Sequence, residues 1–241
     1  MKAILVMTSD NPFYIDELKS LCIACDIEVE DVVIQKLEKI NPAFTDIKHL
    51  PIHAGTKQLA GYPIFIAGDA HTATPIQHEA AHEGRTAVQH CLNFPNVQNT
   101  KTLTPLGIVF SSPEMATAGK SFKQLMDSNA EFVTGTASYE KQGRAIVLGK
   151  NRGAAEIYVD KISRKILGAE LFTESAEHLA HLLAWMITED LTVDEVLNKP
   201  FYHPALEEGL RTALRDAARQ LPNARTSDLA ACPALGVPAL D

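Results

Sequence analysis

From about residue 103 to residue 219 strands and helices segregate along the chain, and this segregation limits the fold more than any other feature of the sequence. Apolar alternation marks strands near 106–110, 131–137, 144–149, 154–160 and 165–171, and helical spacing marks 121–128, 174–189 and 203–219. Strands grouped together, with helices grouped after them, call for an α+β layer, an antiparallel sheet with helices, not the regular alternation of a Rossmann repeat. The 241 residues, 46% of them hydrophobic, are enough for packed cores of this kind.

Before that region the pattern is different. Residues 2–7 read as a buried strand, 15–24 as a helix and 27–34 as a second strand, which together make a small βαβ-like unit over 1–44. A stretch rich in turn formers and histidine, 45–61, reads as a linker; 62–100 then give strand, loop and helix, and 101–221 hold the α+β domain. Residues 222–241 are small and interrupted by proline, so a disordered tail is expected. A net charge of −8 argues against nucleic acid or anionic membrane as partners. The first seven residues are too short an apolar run for a signal peptide, and no run reaches transmembrane length. Cys22, Cys25, Cys91 and Cys232 fit a reducing compartment without forming a disulfide framework, so a cytoplasmic location is expected.

Two segments carry candidate chemistry. In residues 201–211 (FYHPALEEGLR), His203 is followed by Pro204 at an expected helix start, and Glu208 stands five residues on. A histidine held by a carboxylate can serve as a general base, Glu208 fixing one tautomer and raising the basicity of the ring. The same residues also read as a loop histidine beside a capped helix. In residues 63–70 (PIFIAGDA), a short apolar strand ends at Gly68, where backbone can approach a ligand, and Asp69 is placed to hydrogen-bond a hydroxyl. A helix from about Pro75 through Ile76, Gln77 and His78 would aim its free N–H groups at an electron-rich group.

Both segments, together with 105–112 (PLGIVFSS) and 113–119 (PEMATAG), resemble the C-terminal part of the pyridine nucleotide-disulfide oxidoreductases, most nearly the dihydrolipoamide dehydrogenases, over about 60–220. The resemblance implies an interface domain that forms a homodimer through 101–221, FAD at Gly68 and Asp69 with Ile76, Gln77 and His78 near the flavin, and NAD as electron partner. It makes His203 the acid/base in exchange with a lipoyl-type disulfide, with Glu208 orienting it, and implies a cis bond between His203 and Pro204. No GxGxxG and no Cys-x4-Cys occurs in the sequence, so a separate chain carrying the FAD/NAD half would complete such an enzyme. The alternative is a non-catalytic dimerisation module. Ala205 stands where the common motif has threonine and Glu207 where it has serine, which leaves the disulfide substrate open. Residues 14–21, 35–36 and 41–43 resemble instead the start of the HflX-type GTPases, whose phosphate loop the sequence lacks.

Other patterns read more plainly. His78-Glu79-Ala80-Ala81-His82 matches HExxH, but the flavin motif already accounts for it and no third ligand follows, so no metal is expected. Cys22 and Cys25 form a CxxC at the C-terminal end of the expected helix, where the dipole opposes thiolate formation, and read as buried thiols. His178 and His181 flank an amphipathic core helix.

Overall fold

A computed structural model describes residues 4–7, 40–46, 49–68, 71 and 76–222. The expected helix at 15–24, the strand at 27–34, the CxxC, residues 14–21 and 35–36 of the GTPase-like segment, Asp69 and the tail from 223 lie outside the described residues. The chain divides into two compact units, Met1–Leu103 and Thr104–Asp241.

In the first unit, β1 (Ile4–Met7) pairs in parallel with β2 (Ile64–Ala67), Ile4 opposite Ile64 and Met7 opposite Ala67. All four β2 residues are buried, and the period of two sends them to two small cores. Phe65 and Ala67 meet Ala87, Val88 and Cys91 of α1 (Gln77–Asn93). Ile64 and Ile66 meet Phe44, Leu50 and Leu59. The stretch expected to be a linker therefore does more than connect: Leu50 and Leu59 are 6% and 0% exposed. Its turn formers are real, but they fold the segment back onto β2 through bridges Ile52 to Leu59 and Gln58 to Phe65.

The second unit is an α+β layer. Its sheet has the order β3 (Leu106–Val109), β4 (Glu114–Gly119), β7 (Ile166–Thr173), β6 (Gly153–Asp160), β5 (Phe132–Ser138), every neighbour antiparallel. Ala116, Ala118, Ala155, Ile157, Ala169 and Leu171 point to one face and bury against α4 (Ala176–Thr188) and α6 (Glu208–Gln220), through Leu179, Leu183, Leu210 and Leu214. Small residues bring α6 close: a Cβ built on Gly135 of β5 would lie 2.0 Å from the Ala213 carbonyl oxygen. Two short helices, α2 (Phe122–Asp127) and α5 (Val193–Leu197), begin with capping boxes built on Ser121 with Gln124 and on Thr192 with Glu195.

Three local expectations are corrected. Residues 144–149 are not a strand; α3 (Gly143–Val147) occupies them, because a short apolar run fits either period and the Gln142 side chain caps the turn by accepting from the Ala145 N–H at 2.7 Å. β4 was not expected, since EMATAG has only two buried alanines to mark its inner face. The last helix starts at Glu208 and not at 203, so Pro204 precedes the helix and does not occupy its first turn. The His203–Pro204 bond is cis, as the family resemblance implies.

Candidate functional site

His203 sits in the loop between α5 and α6 with its side chain 80% exposed. Its Nδ1 lies 3.0 and 3.1 Å from the two carboxylate oxygens of Glu208, the first residue of α6. With Nδ1–H donating to Glu208, Nε2 is the basic nitrogen and points its lone pair outward. The Glu208 carboxylate also accepts the Ala205 N–H at 3.1 Å. That amide, and then His203, hold the Glu208 carboxyl below the ordinary carboxylate range. Glu208 therefore remains ionised across the range in which a histidine titrates.

The loop is fastened from beneath. Gln142 Nε2 donates to the Ala205 carbonyl at 2.6 Å, and Tyr139 Oη donates to the Leu206 carbonyl at 3.2 Å. Tyr139 is buried, which pushes its phenol well above the usual range and keeps it a neutral donor. Gly209 leaves room for that ring: an added Cβ would come within 2.4 Å of it. Arg211 lies 5.5 Å from the centroid of the Phe201 ring, closing the other side of the loop.

The lowered pKa of Glu208 gives a pH expectation with a definite sign. A group whose folded pKa is depressed contributes above its unfolded value, near ~4.3, and that contribution is lost as pH falls through the folded value. The Ala205 N–H shift in an NMR titration should therefore hold through the ordinary glutamate range and change only at more acid pH. A midpoint at the ordinary value would remove the Ala205 and His203 contacts from solution.

The residues proposed for a cofactor lie in the first unit. Gly68 ends β2 at φ +104°, a conformation that favours glycine. Ile76 is the N-cap of α1 with no side-chain cap bond, Gln77 and His78 are the first two helical residues and are exposed, and Asp69 is outside the described residues. The Gly68 N–H itself is engaged: it donates to Glu83 Oε2 at 3.1 Å, while Glu83 Oε1 takes Lys57 Nζ at 2.6 Å. Sequence reading missed this buried pair, whose partners stand 26 residues apart with no spacing signal. His82, one turn beyond His78, is half-buried, and burial, then Arg85 and Lys57, push its pKa down. His178 and His181 lie on α4, His178 against Glu177 and His181 against the Trp185 ring.

Solved structures share this fold. LpdA from Mycobacterium tuberculosis matches with a TM-score of 0.60 and 22% identity over 69% of this chain and 36% of its own. The HOCl-induced flavoprotein disulfide reductase of Escherichia coli matches with a TM-score of 0.55 and 18% identity, over 71% of this chain and 40% of its own. Residues 106–214 match the family model described as pyridine nucleotide-disulphide oxidoreductase, dimerisation domain. The dihydrolipoyl dehydrogenase of Rhizobium etli is 26% identical over 170 residues, 70% of this chain and 35% of that protein. That of Mycoplasma pneumoniae is 28% identical over 154 residues, 64% of this chain and 34% of that protein. The chain thus spans about a third of the length of the curated relatives it matches. The second unit is a mixed α+β domain of the kind found in flavin disulfide reductases. Residues 106–214 are a pyridine nucleotide-disulphide oxidoreductase dimerisation domain, and over its C-terminal portion the chain is distantly homologous to dihydrolipoyl dehydrogenases. The family uses FAD and NAD, and within the family the dimerisation domain implies a homodimer. No helix among the described residues is long and apolar enough to cross a membrane.

Proposed function

We propose that this chain supplies the acid/base and the dimer interface of a flavin-dependent disulfide oxidoreductase acting by dithiol/disulfide exchange, with a lipoyl-type substrate. The observation that carries this reading is the exposed His203 ring held at Nδ1 by an ionised Glu208. In the exchange, His203 Nε2 takes the proton from a substrate thiol and the resulting thiolate attacks a disulfide sulfur. The S–S bond breaks, a mixed disulfide forms, and the departing sulfur leaves as thiolate. Glu208 stabilises the imidazolium until the proton is passed on. The disulfide would come from the half of such an enzyme that carries the redox cysteines, which this sequence does not contain. FAD, when bound near Gly68, Asp69, Ile76, Gln77 and His78, would supply electron transfer between that disulfide and NAD.

The second unit also carries exposed Val109, Phe110, Met115 and Phe172, apolar surface suited to a partner copy. The reading is tested by sedimentation and by visible absorption of the chain purified with FAD. A dimer at micromolar concentration, with a flavin band that survives gel filtration, is the expected result. A clean monomer would count against the interface. A colourless dimer would favour the non-catalytic dimerisation module.

A further inference from the structure

We propose that Gln142 is a positioning residue for the His203–Glu208 pair, acting through both backbone polar groups of Ala205; the assignment rests on the reading of His203 as the base. Glutamine is an unusual choice at the start of a helix, where Ser, Thr, Asp and Asn are preferred. The other two short helices of the unit follow that preference, with Ser121 and Thr192. Gln142 caps α3 with its oxygen, at 2.7 Å from the Ala145 nitrogen, and its amide nitrogen spans to the Ala205 carbonyl at 2.6 Å. Ala205 is thereby held at its C=O by Gln142 and at its N–H by Glu208 Oε2, and the same carboxylate takes His203 Nδ1. A shorter capping residue would close the turn of α3 equally well but leave the Ala205 carbonyl without this donor. The longer side chain links the β5–α3 turn to the loop that carries the base. Tyr139, three residues earlier, makes the neighbouring link to the Leu206 carbonyl, so the attachment falls on two consecutive carbonyls.

Two variants of the whole chain separate capping from positioning. Gln142→Glu keeps the length and the cap acceptor but loses the donor to Ala205; Gln142→Asn keeps a favoured cap but is too short to span. In both, exchange of the Ala205 amide should speed up about tenfold, the worth of one hydrogen bond. The ¹⁵N signals of His203 should move from a single Nδ1–H tautomer towards a mixture, with the Ile157 and Val159 amides of β6 unchanged. In a turnover-competent complex, kcat should fall about tenfold with KM unchanged, as for loss of a transition-state interaction. Unchanged Ala205 exchange and an unchanged His203 tautomer in both variants would overturn the assignment. So would β6 amides that exchange faster in step with Ala205, since Gln142 would then act on the whole fold. If the NMR changes appear but the unaltered complex turns over no disulfide, the assignment of Gln142 stands and the reading of His203 as the base falls.

Discussion

His203→Gln, in a complex completed with the chain that carries the disulfide half, lowers NAD-linked disulfide turnover by about 10²–10⁴-fold, the usual worth of a positioned general base. Glutamine keeps a donor that can reach Glu208, so the loop should hold its shape, but it has no nitrogen that can take a thiol proton. Exchange then depends on the small thiolate fraction of the free substrate, and raising the pH should recover part of the rate as that fraction grows. The dimer and any flavin band should be untouched, because His203 is an 80% exposed loop side chain and contributes nothing to the core. Steady-state rates across pH 6–9 measure the effect; wild-type activity in the variant would take His203 out of the mechanism.

Lys57→Met destabilises the first unit by about 3–5 kcal/mol, the loss typical of breaking one partner out of a buried ion pair. The two side chains are 11% and 10% exposed, so little solvent is available to replace the ammonium against the Glu83 carboxylate. Methionine matches the length of the stem, which leaves lost charge as the main change. The Gly68 N–H, bound to the other Glu83 oxygen, is the first bond at risk, and with it the end of β2. Native-state hydrogen exchange at Gly68 and Ile66 reads the loss directly. Lys57→Met combined with Glu83→Gln should recover most of the stability, since a neutral amide needs no buried cation and still accepts from Gly68. A single variant as stable as wild type would mean that the pair is solvated after all.

These two sites differ in how far the sequence alone exposes them. His203, Pro204 and Glu208 lie within six residues, so one local segment carries the type and spacing of the chemistry. Gly68 announces itself in the same way, as the glycine that ends an apolar run. Lys57 and Glu83 are neighbours only because the turn-rich segment and α1 both pack on β2, and no local pattern records that. Gln142 was invisible for the same reason, 63 residues from the carbonyl it holds.

The α+β class, the long helices α4 and α6 and four of the five strands of the sheet follow from periodicity, because side chains on a regular element must repeat with its geometry to bury one face. Periodicity says nothing about a run too short to show a period, and there the tertiary structure decided. Residues 143–147 became the helix α3 because Gln142 can cap it, and 114–119 became a strand because β3 and β7 offer it ladders on both sides. The sequence by itself determined which groups could do acid/base chemistry. Only folding, by bringing Ala205 between Gln142 and Glu208, decided how firmly that chemistry is aimed, because hydrogen bonds between distant segments depend on a chain path that no local spacing encodes.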